Sequence, residues 1–365
     1  MSETPRTYVP FQQWKEKSKQ TEYTEATPLL APDGTLLAKG WARHNVFDYN
    51  RDYVKKGSPM SKKEWDFYQV ADGNYMVQLS FANIGIGGYV AGKLIDLKAG
   101  KVVVDATQLF LGGKKHLPPL KGDVPNRYKD KIGKAEFDFD TKETSRTIWF
   151  KMALKDKTVE CKFEMDIMPG LENITTVLPF KGDPKKYFMT TKQACMPCGG
   201  FYKDGDKVYE FKKENTFCSL DWGRVNTPHE MVWYWGSGSQ YVTDANGEKK
   251  LFGFEITWAI GDESNATETC IFYDGKVHKF GAVDVETFPK PDKFMNDWVF
   301  ISEDKRFNLT MKPTFDHHSD MNLGIARMHT HQVHGIWSGD VVLDDGTKLE
   351  IKDMYAFCEY VENKW

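Results

Sequence analysis

The segment Cys218–Arg224, followed closely by Trp233 and Trp235, combines a carboxylate, a guanidinium and several indoles. A carboxylate held against an indole in an apolar pocket has a raised pKa and can serve as a general acid. Asp221 is therefore a candidate acid, and Arg224 is a candidate anchor for an oxygen-bearing group of a substrate. The alternative is an Asp–Arg pair in a tight turn beside a core filled with Trp side chains.

Glu268 stands just before the apolar segment Cys270–Tyr273 and is a second candidate acid if its side chain points inward. Buried carboxylates are uncommon without a partner or a task. The alternative is a solvated glutamate at the entrance of a strand. Four tryptophans are candidates to stack on a hydrophobic substrate and exclude water: Trp222, Trp233, Trp235 and Trp258.

The histidine-rich segment His329–His334 offers either a proton acceptor or metal ligands. Alternate residues of a strand point to the same face, so His329 and His331 would project together, as two metal ligands on one strand do. Polar strand residues without any ligand are a further alternative. We assign His331 as the proton acceptor of an acid–base site and expect no metal.

Arg43 lies in a cluster of aromatic and charged residues, Trp41–Arg51, and its guanidinium could hold an anionic group. A loop pinned by Arg–Asp pairs is the alternative. Cys195 and Cys198 form a single Cys-x-x-Cys motif without a second pair at zinc spacing. We therefore predict a linker loop that carries two free thiols.

Composition and missing motifs exclude several classes of protein. A net charge of -3 over 365 residues argues against a protein that coats nucleic acid. The glycines of the segment Gly85–Gly92 do not match the dinucleotide-binding fingerprint, and no phosphate loop or His-Glu-x-x-His motif occurs. No stretch approaches about 18 consecutive apolar residues, so we expect no stable membrane insertion. The polar N-terminus predicts a cytoplasmic protein.

Aromatic residues make up 14% of the chain, and turn signals divide it into short segments. Asp-Gly and Asn-Gly pairs recur between segments such as Phe252–Ile260, in which large apolar residues occupy alternate positions. This period of two predicts an all-β protein. Only Tyr8–Lys19 has the character of a helix.

A weak internal repeat predicts two similar domains in tandem. Ser80–Gly85 precedes Gly100 much as Thr257–Gly261 precedes Gly275. Prolines and a glycine interrupt the strand pattern near residues 178–191, which is typical of a join. The predicted domains, each a β-barrel or strongly curved antiparallel sheet, are residues 1–190 and residues 191–365.

Motifs spread over nearly the whole chain resemble those of a large bacterial family of unknown function. They are Gly40–His44, Asp48–Arg51, Lys63–Asp66, Ser80–Gly85, Cys218–Arg224, Trp233–Gly238, Ala266–Glu268, His331–Val333 and Val341–Gly346. More distantly, this family is similar to two-domain lipocalin-like proteins that include carotenoid hydratases and fungal Diels-Alder-type cyclases. The resemblance implies two lipocalin-like (calycin) barrels and a small lipophilic ligand, and it supplies no catalytic residue.

Together these features lead to one principal function and one alternative. The principal function is a cofactor-independent acid–base enzyme of the lyase or isomerase class, such as a hydratase or cyclase, for a small hydrophobic or aromatic molecule. Asp221, Glu268 and His331 would move protons, and Arg43 and Arg224 would hold the substrate. The alternative is a lipocalin-like protein that binds a lipophilic ligand without changing it. We expect no nucleic-acid partner and no cofactor.

Overall fold

The computed structural model of the chain describes residues 17–55, 57–285, 293–322 and 327–365. Within these ranges the chain is almost entirely β-structure, with a short 3-10 turn at Arg51–Tyr53. The predicted all-β class is confirmed. The helix predicted over Tyr8–Lys19 lies outside the described residues except for 17–19, which are not helical. None of the helical structure in the described ranges is long and apolar enough to cross a bilayer.

The first fifteen strands form one large antiparallel sheet and one small parallel pair. They are β1 (Thr27–Pro28), β2 (Gly40–Ala42), β3 (Phe47–Asp48), β4 (Lys62–Ala71), β5 (Tyr75–Asn83), β6 (Gly87–Asp96), β7 (Lys101–Leu111), β8 (Asn126–Ile132), β9 (Ala135–Thr141), β10 (Ser145–Ala153), β11 (Thr158–Asp166), β12 (Ile174–Pro179), β13 (Tyr187–Asp204), β14 (Lys207–Phe211) and β15 (Phe217–Asn226). The pair is β1 with β3. The large sheet has the order β7-β6-β5-β4-β15-β13-β11-β10-β9-β8; β12 and β14 also pair with β13, and β2 pairs with β12.

The remaining strands form a second antiparallel sheet. They are β16 (Glu230–Thr243), β17 (Lys249–Trp258), β18 (Glu268–Tyr273), β19 (Lys276–Lys279), β20 (Val283–Val285), β21 (Trp298–Ser302), β22 (Phe307–Asn322), β23 (Arg327–Val342) and β24 (Lys348–Lys364). Their order is β19-β18-β17-β16-β24-β23-β22-β21-β20.

Both sheets follow one plan, as the internal repeat predicts. Each has a meander of four consecutive strands, β4–β7 or β16–β19, and the last strand of each sheet returns to pair with the first strand of its meander. Gly100 and Gly275 stand at equivalent turns, between the third and fourth strands of the two meanders. The predicted class of two tandem, strongly curved antiparallel sheets is confirmed.

The chain passes from one sheet to the other between Asn226 and Glu230. A division at residues 190/191 would cut β13, which pairs with strands of the first sheet along its whole length. The two-domain division stays a prediction, but the change of sheet occurs about 35 residues later than the predicted join. The reason is that β13 and β15 complete the first sheet after the prolines that interrupt the pattern.

The three largest apolar clusters of the described residues hold most of the structure together. The first lies on the inner face of the first sheet and includes Phe81, Phe137, Phe150 and Trp222. The second lies on the inner face of the second sheet and includes Phe254, Trp298 and Trp337. The third joins the two sheets and includes Trp41, Leu178, Phe188, Phe272 and Val277. Burial of each large side chain contributes on the order of 2–3 kcal/mol relative to exposure, so the interface between the sheets is itself a core.

A β-bulge divides β13. The register against β15 shifts between Gln193 and Met196, and Cys195 has φ 60° there. Before the bulge, odd-numbered residues such as Met189 belong to the first apolar cluster, whereas after it even-numbered residues such as Cys198 do. The extra residue therefore keeps one face of the strand turned toward the same core.

Cys195 and Cys198 do not lie in a linker loop, so that prediction is wrong. Both belong to β13, and both thiols are free and buried. Burial raises the pKa of Cys195 to about 12, which makes its thiol a poor nucleophile near neutral pH.

Gly223 in β15 gives a test of the close packing around this strand. A Cβ at this position would lie 2.1 Å from Cζ2 of Trp65, whereas a Cβ at Gly199 in β13 would meet nothing closer than 3.6 Å. We expect Gly223→Ala to lower the free energy of unfolding by roughly 1–3 kcal/mol because the ring must move. Gly199→Ala should change it by less than about 0.5 kcal/mol. Urea denaturation measures both, and equal values for the two variants would contradict this packing.

Candidate functional site

Lys192 is the centre of a buried polar cluster between the two sheets. Its side chain is only 3% exposed, and its Nζ lies 3.0 Å from Oδ1 of Asp221, its direct partner in the β13/β15 register. The same Nζ lies 3.9 Å from Oε2 of Glu268 and 3.9 Å from the centroid of the Trp235 ring, both on the second sheet. The ammonium group thus links a carboxylate of one sheet to a carboxylate and an indole of the other.

Two fully buried glutamates on neighbouring strands complete the cluster. Glu268, at the start of β18, accepts a hydrogen bond from the hydroxyl of Thr190 in β13. Glu255, in β17, accepts one from the indole N–H of Trp235 at 2.7 Å. Thr257 stands directly opposite Glu268 in the register, so Glu255 and Glu268 lie on the same face of the sheet.

A third glutamate is connected to the same interface through a chain of amides. Glu359 in β24 accepts a hydrogen bond from the indole N–H of Trp233 at 2.9 Å and one from Gln332 at 3.1 Å. The amide oxygen of Gln332 accepts from Gln78 at 2.7 Å, and Gln78 also donates to Gln69 at 3.3 Å. The chain crosses from β24 and β23 of the second sheet to β5 and β4 of the first.

Burial sets the protonation of these carboxyl groups. It raises the pKa of Glu255 to about 8 and that of Glu359 to about 7, and it also raises the pKa of Glu268. Burial lowers the pKa of Lys192, but the charges of Asp221, Glu268 and Glu255 more than offset this and raise it. At neutral pH the site therefore holds a charged ammonium group on Lys192, and Glu255 keeps its proton for the most part.

A cleft of about 170 Å³ opens beside this cluster. It lies between β4 and β15 of the first sheet and β16 and β24 of the second. Ser237 in its wall stands directly opposite Glu255 in the β16/β17 register, and Gln69 in its wall is one end of the amide chain. Other residues of its wall are Phe217, Ser219, Ser239, Tyr355 and Phe357.

Four of the predicted site residues meet at this interface. They are Asp221, Glu268, Trp233 and Trp235, and the two indoles share a strand face. The inward orientation on which the candidacy of Glu268 depends is observed, and the alternative of a solvated glutamate at a strand entrance is excluded by its complete burial.

Arg224 and Trp222 lie on the other side of β15 from Asp221. Trp222 is buried in the first apolar cluster, and the guanidinium of Arg224 lies 4.2 Å from its ring centroid. Arg224 donates to Oδ1 of Asp66 at 2.8 Å and is completely buried. The alternative of an Asp221–Arg224 pair in a tight turn is wrong, because all three residues belong to an extended strand whose successive side chains point to opposite faces.

Arg43 and Trp258 also lie away from the cluster. Arg43 forms ion pairs with Glu22 and Glu172, each at 2.9 Å. The alternative of a loop pinned by ion pairs therefore fits Arg43, except that its partners are glutamates and not aspartates. Trp258 stacks on Tyr234 at 4.7 Å in the second apolar cluster. The guanidinium of Arg43 thus holds a loop in place, and the indole of Trp258 packs in the core.

His331 belongs to a separate group at the far face of β23. Its neighbour in sequence, Gln332, faces the first sheet, whereas His331 stacks on Phe294 at 3.8 Å between ring centroids. Nδ1 of His331 lies 2.7 Å from Oδ2 of Asp316, and His329 and His318 are its other ring neighbours. The structure therefore does not bring His331 together with Asp221 and Glu268.

Lys192, Glu255 and Glu359 were missed from the sequence. Glu255 stands between the alternating apolar residues Phe254 and Ile256, which mark the inner face of β17. A charged residue at such a position is normally solvated, and only the packing of the second sheet against the first buries it. A usable signal was that the nearest positions on the same face of this strand, Gly253 and Thr257, carry no charge; the other charged residue of that face, Lys249, stands at the start of the strand.

Comparison with known protein families agrees with the resemblance to a family of unknown function seen in the motifs. The model of one family, described as a domain of unknown function (DUF2804), matches residues 20–365. No curated protein matches the chain. A solved structure from Nitrosomonas europaea, provisionally named ATTH, is 12% identical, with a TM-score of 0.46 over 87% of this chain and 96% of that chain. Kievitone hydratase from Nectria haematococca is 8% identical, with a TM-score of 0.42 over 86% and 94%.

The raised pKa of Glu255 predicts a pH-dependent stability. Its carboxyl group binds a proton more tightly in the folded chain, so its contribution is complete below pH 4.5 and is lost as the pH rises to about 8. We expect Glu255→Gln to make the fall in unfolding free energy between about pH 5 and pH 8 shallower, by up to about 1.4 kcal/mol per pH unit. Urea denaturation at several pH values measures the slope.

The exposed Glu350 provides the matched control for this experiment. Glu350→Gln should keep the slope of the unmodified protein. Identical slopes in all three proteins would show that Glu255 does not hold its proton in the folded state.

Proposed function

Because the chain belongs to the DUF2804 family, a domain of unknown function, we propose its activity from the site itself. We infer that the protein is a general acid–base enzyme of the hydratase, isomerase or cyclase type. Its substrate is a small hydrophobic or aromatic molecule that carries an oxygen, and its site is the interface between the two sheets. The resemblance to two-domain lipocalin-like proteins that include hydratases favours the same reaction class.

The observation that carries this proposal is the excess of carboxyl groups over cations in a buried cluster. Lys192 faces Asp221, Glu255 and Glu268, and ionisation of all three would leave two uncompensated negative charges in a region of low dielectric. The cluster therefore retains protons at neutral pH. A carboxylic acid that keeps its proton at neutral pH is what general acid catalysis needs.

The proposed roles follow from the contacts of each group. Glu268 or Glu255 donates a proton to the substrate. In a hydration the carboxylate so formed takes a proton from water while the water oxygen bonds to a carbon of the substrate double bond; in an isomerisation it takes a proton from an adjacent carbon while the C–H electron pair forms the shifted double bond. Either step restores the acid. Lys192 stays charged and stabilises negative charge that develops on the substrate oxygen. Trp235 covers the ammonium group and helps to exclude water.

Two features support a connection between the cleft and the buried acids. Ser237 lines the cleft and stands directly opposite Glu255 on the neighbouring strand, so this carboxyl group lies one strand away from the wall of the cleft. The amide chain from Gln69 to Glu359 connects the wall of the cleft to a buried carboxyl group through hydrogen bonds.

The second candidate is a binding protein without catalysis, and the wall of the cleft favours it. Most of the residues that line the cleft are neutral, with Asp72 as the carboxylate among them. A neutral wall suits a lipophilic ligand that is held and released unchanged. This candidate predicts that a bound molecule is released from the protein chemically unchanged.

Turnover measurements on matched variants test the proposed reaction. Native mass spectrometry of the purified protein first identifies any retained small molecule, and aromatic enones and conjugated alkenes complete the substrate panel. Conversion is followed by ultraviolet absorbance and by deuterium uptake from D2O. We expect Glu255→Gln or Glu268→Gln to lower kcat by about 100-fold or more, with Asp221→Asn weaker. Glu350→Gln, remote from the interface, should keep full turnover.

Two outcomes would overturn the acid–base proposal. One is full turnover in both Glu255→Gln and Glu268→Gln. The other is stoichiometric binding of a molecule that the unmodified protein never converts, which is the result expected of the binding protein.

A further inference from the structure

The hairpin of β22 and β23 places imidazoles together on one face, away from the interface described above. His318 and His331 are direct partners in the register, and Asp320 and His329 are the next pair on the same face. Nε2 of His331 lies 3.2 Å from Nε2 of His329. One ring nitrogen from each of His318, His329 and His331 lies within 4.8 Å of the other two.

Asp316 determines which nitrogen of His331 is free to bind. Its Oδ2 lies 2.7 Å from Nδ1 of His331, so the carboxylate accepts the Nδ1 proton and Nε2 keeps its lone pair. That lone pair is directed at His329. A carboxylate behind an imidazole in this way is the common arrangement for a histidine that ligates zinc, because it fixes the tautomer and the ring orientation.

Packing holds the central ring in place. Phe294 stacks on His331 with ring centroids 3.8 Å apart and an interplanar angle of 11°. His329 meets the same ring at 71° and 4.9 Å, so the edges of the two imidazoles converge. His331 and His329 are therefore fixed by strand register and stacking before any ion arrives, which lowers the cost of binding.

We propose that His318, His329 and His331 form a binding site for one Zn²⁺ ion. Tetrahedral zinc with nitrogen ligands at about 2.0–2.1 Å needs nitrogen atoms about 3.3 Å apart, and the His329–His331 pair already has this spacing. The ion takes the place of the proton shared by those two nitrogen atoms. His318, which is exposed, rotates from its stack on His331 to supply the third nitrogen.

Three imidazoles suit zinc better than magnesium or calcium, which prefer oxygen ligands. The fourth position is left to water, since Asp320 lies on the same face but is 3.9 Å from the guanidinium Nε of Arg327. Three histidines with an open fourth position are typical of zinc sites that activate water. This site does not depend on the function proposed for the interface, because β23 turns Gln332 toward that interface and His331 away from it.

Zinc titration of the full chain without a histidine tag tests this site. The protein is stripped with a chelator, and Zn²⁺ is added in competition with a chromophoric chelator. We expect one ion per chain, and Co²⁺ in its place should give the strong visible absorption of a tetrahedral complex. His318→Gln, His329→Gln and His331→Gln should each weaken binding by about 100-fold or more, and Asp316→Asn by about 10–100-fold.

His317→Gln is the matched control. His317 adjoins His318 on β22 but stacks on Phe315 and is not among the three clustered imidazoles, so this variant should bind zinc as the unmodified protein does. Circular dichroism and the Tm of each metal-free variant establish that it is folded. Binding that fails in the unmodified protein, or that survives in folded His318→Gln or His331→Gln, would overturn the proposal.

Discussion

The ammonium group of Lys192 is the interaction on which the relation of the two sheets depends. It contacts Asp221 on its own sheet and Glu268 and Trp235 on the other, with almost no exposure to solvent. A buried charge in such a position must be compensated. If one of its partners is removed, the charge left unpaired lowers the stability by several kcal/mol. The apolar cluster around Phe188 spans the same interface, and the need to keep Lys192 paired favours one alignment of the sheets over others.

The fold was more predictable than the way the sheets divide the chain. Turn residues and a period of two predict an all-β chain, and the repeat correctly aligns the turns at Gly100 and Gly275. The predicted join rests on Pro179 and Pro184, which resemble a boundary, although β13 and β15 still belong to the first sheet. Alternation shows which residues share a face, but it does not show which strand lies beside them.

The same limit explains which residues of the candidate site could be predicted from the sequence and which could not. Trp233, Trp235 and Glu268 were candidates from their types and neighbours alone, and the structure brings them to the interface. Asp221 and Arg224 were grouped because they are close in sequence, although an interval of three places them on opposite faces of a strand. Lys192 was missed because its burial arises from the second sheet, which contributes nothing to the local sequence around it.

The bulge in β13 has a consequence for how this chain can change in evolution. The residue at Cys195 resets the alternation midway along a strand of 18 residues, so that both halves present apolar side chains to one core. Exchange of one side chain for another of similar volume alters only local packing. Loss or gain of a single residue between Gln193 and Met196 would instead turn half of the strand inside out, exposing Met196 and Cys198 to the neighbouring sheet. Length is therefore under stronger constraint here than residue identity.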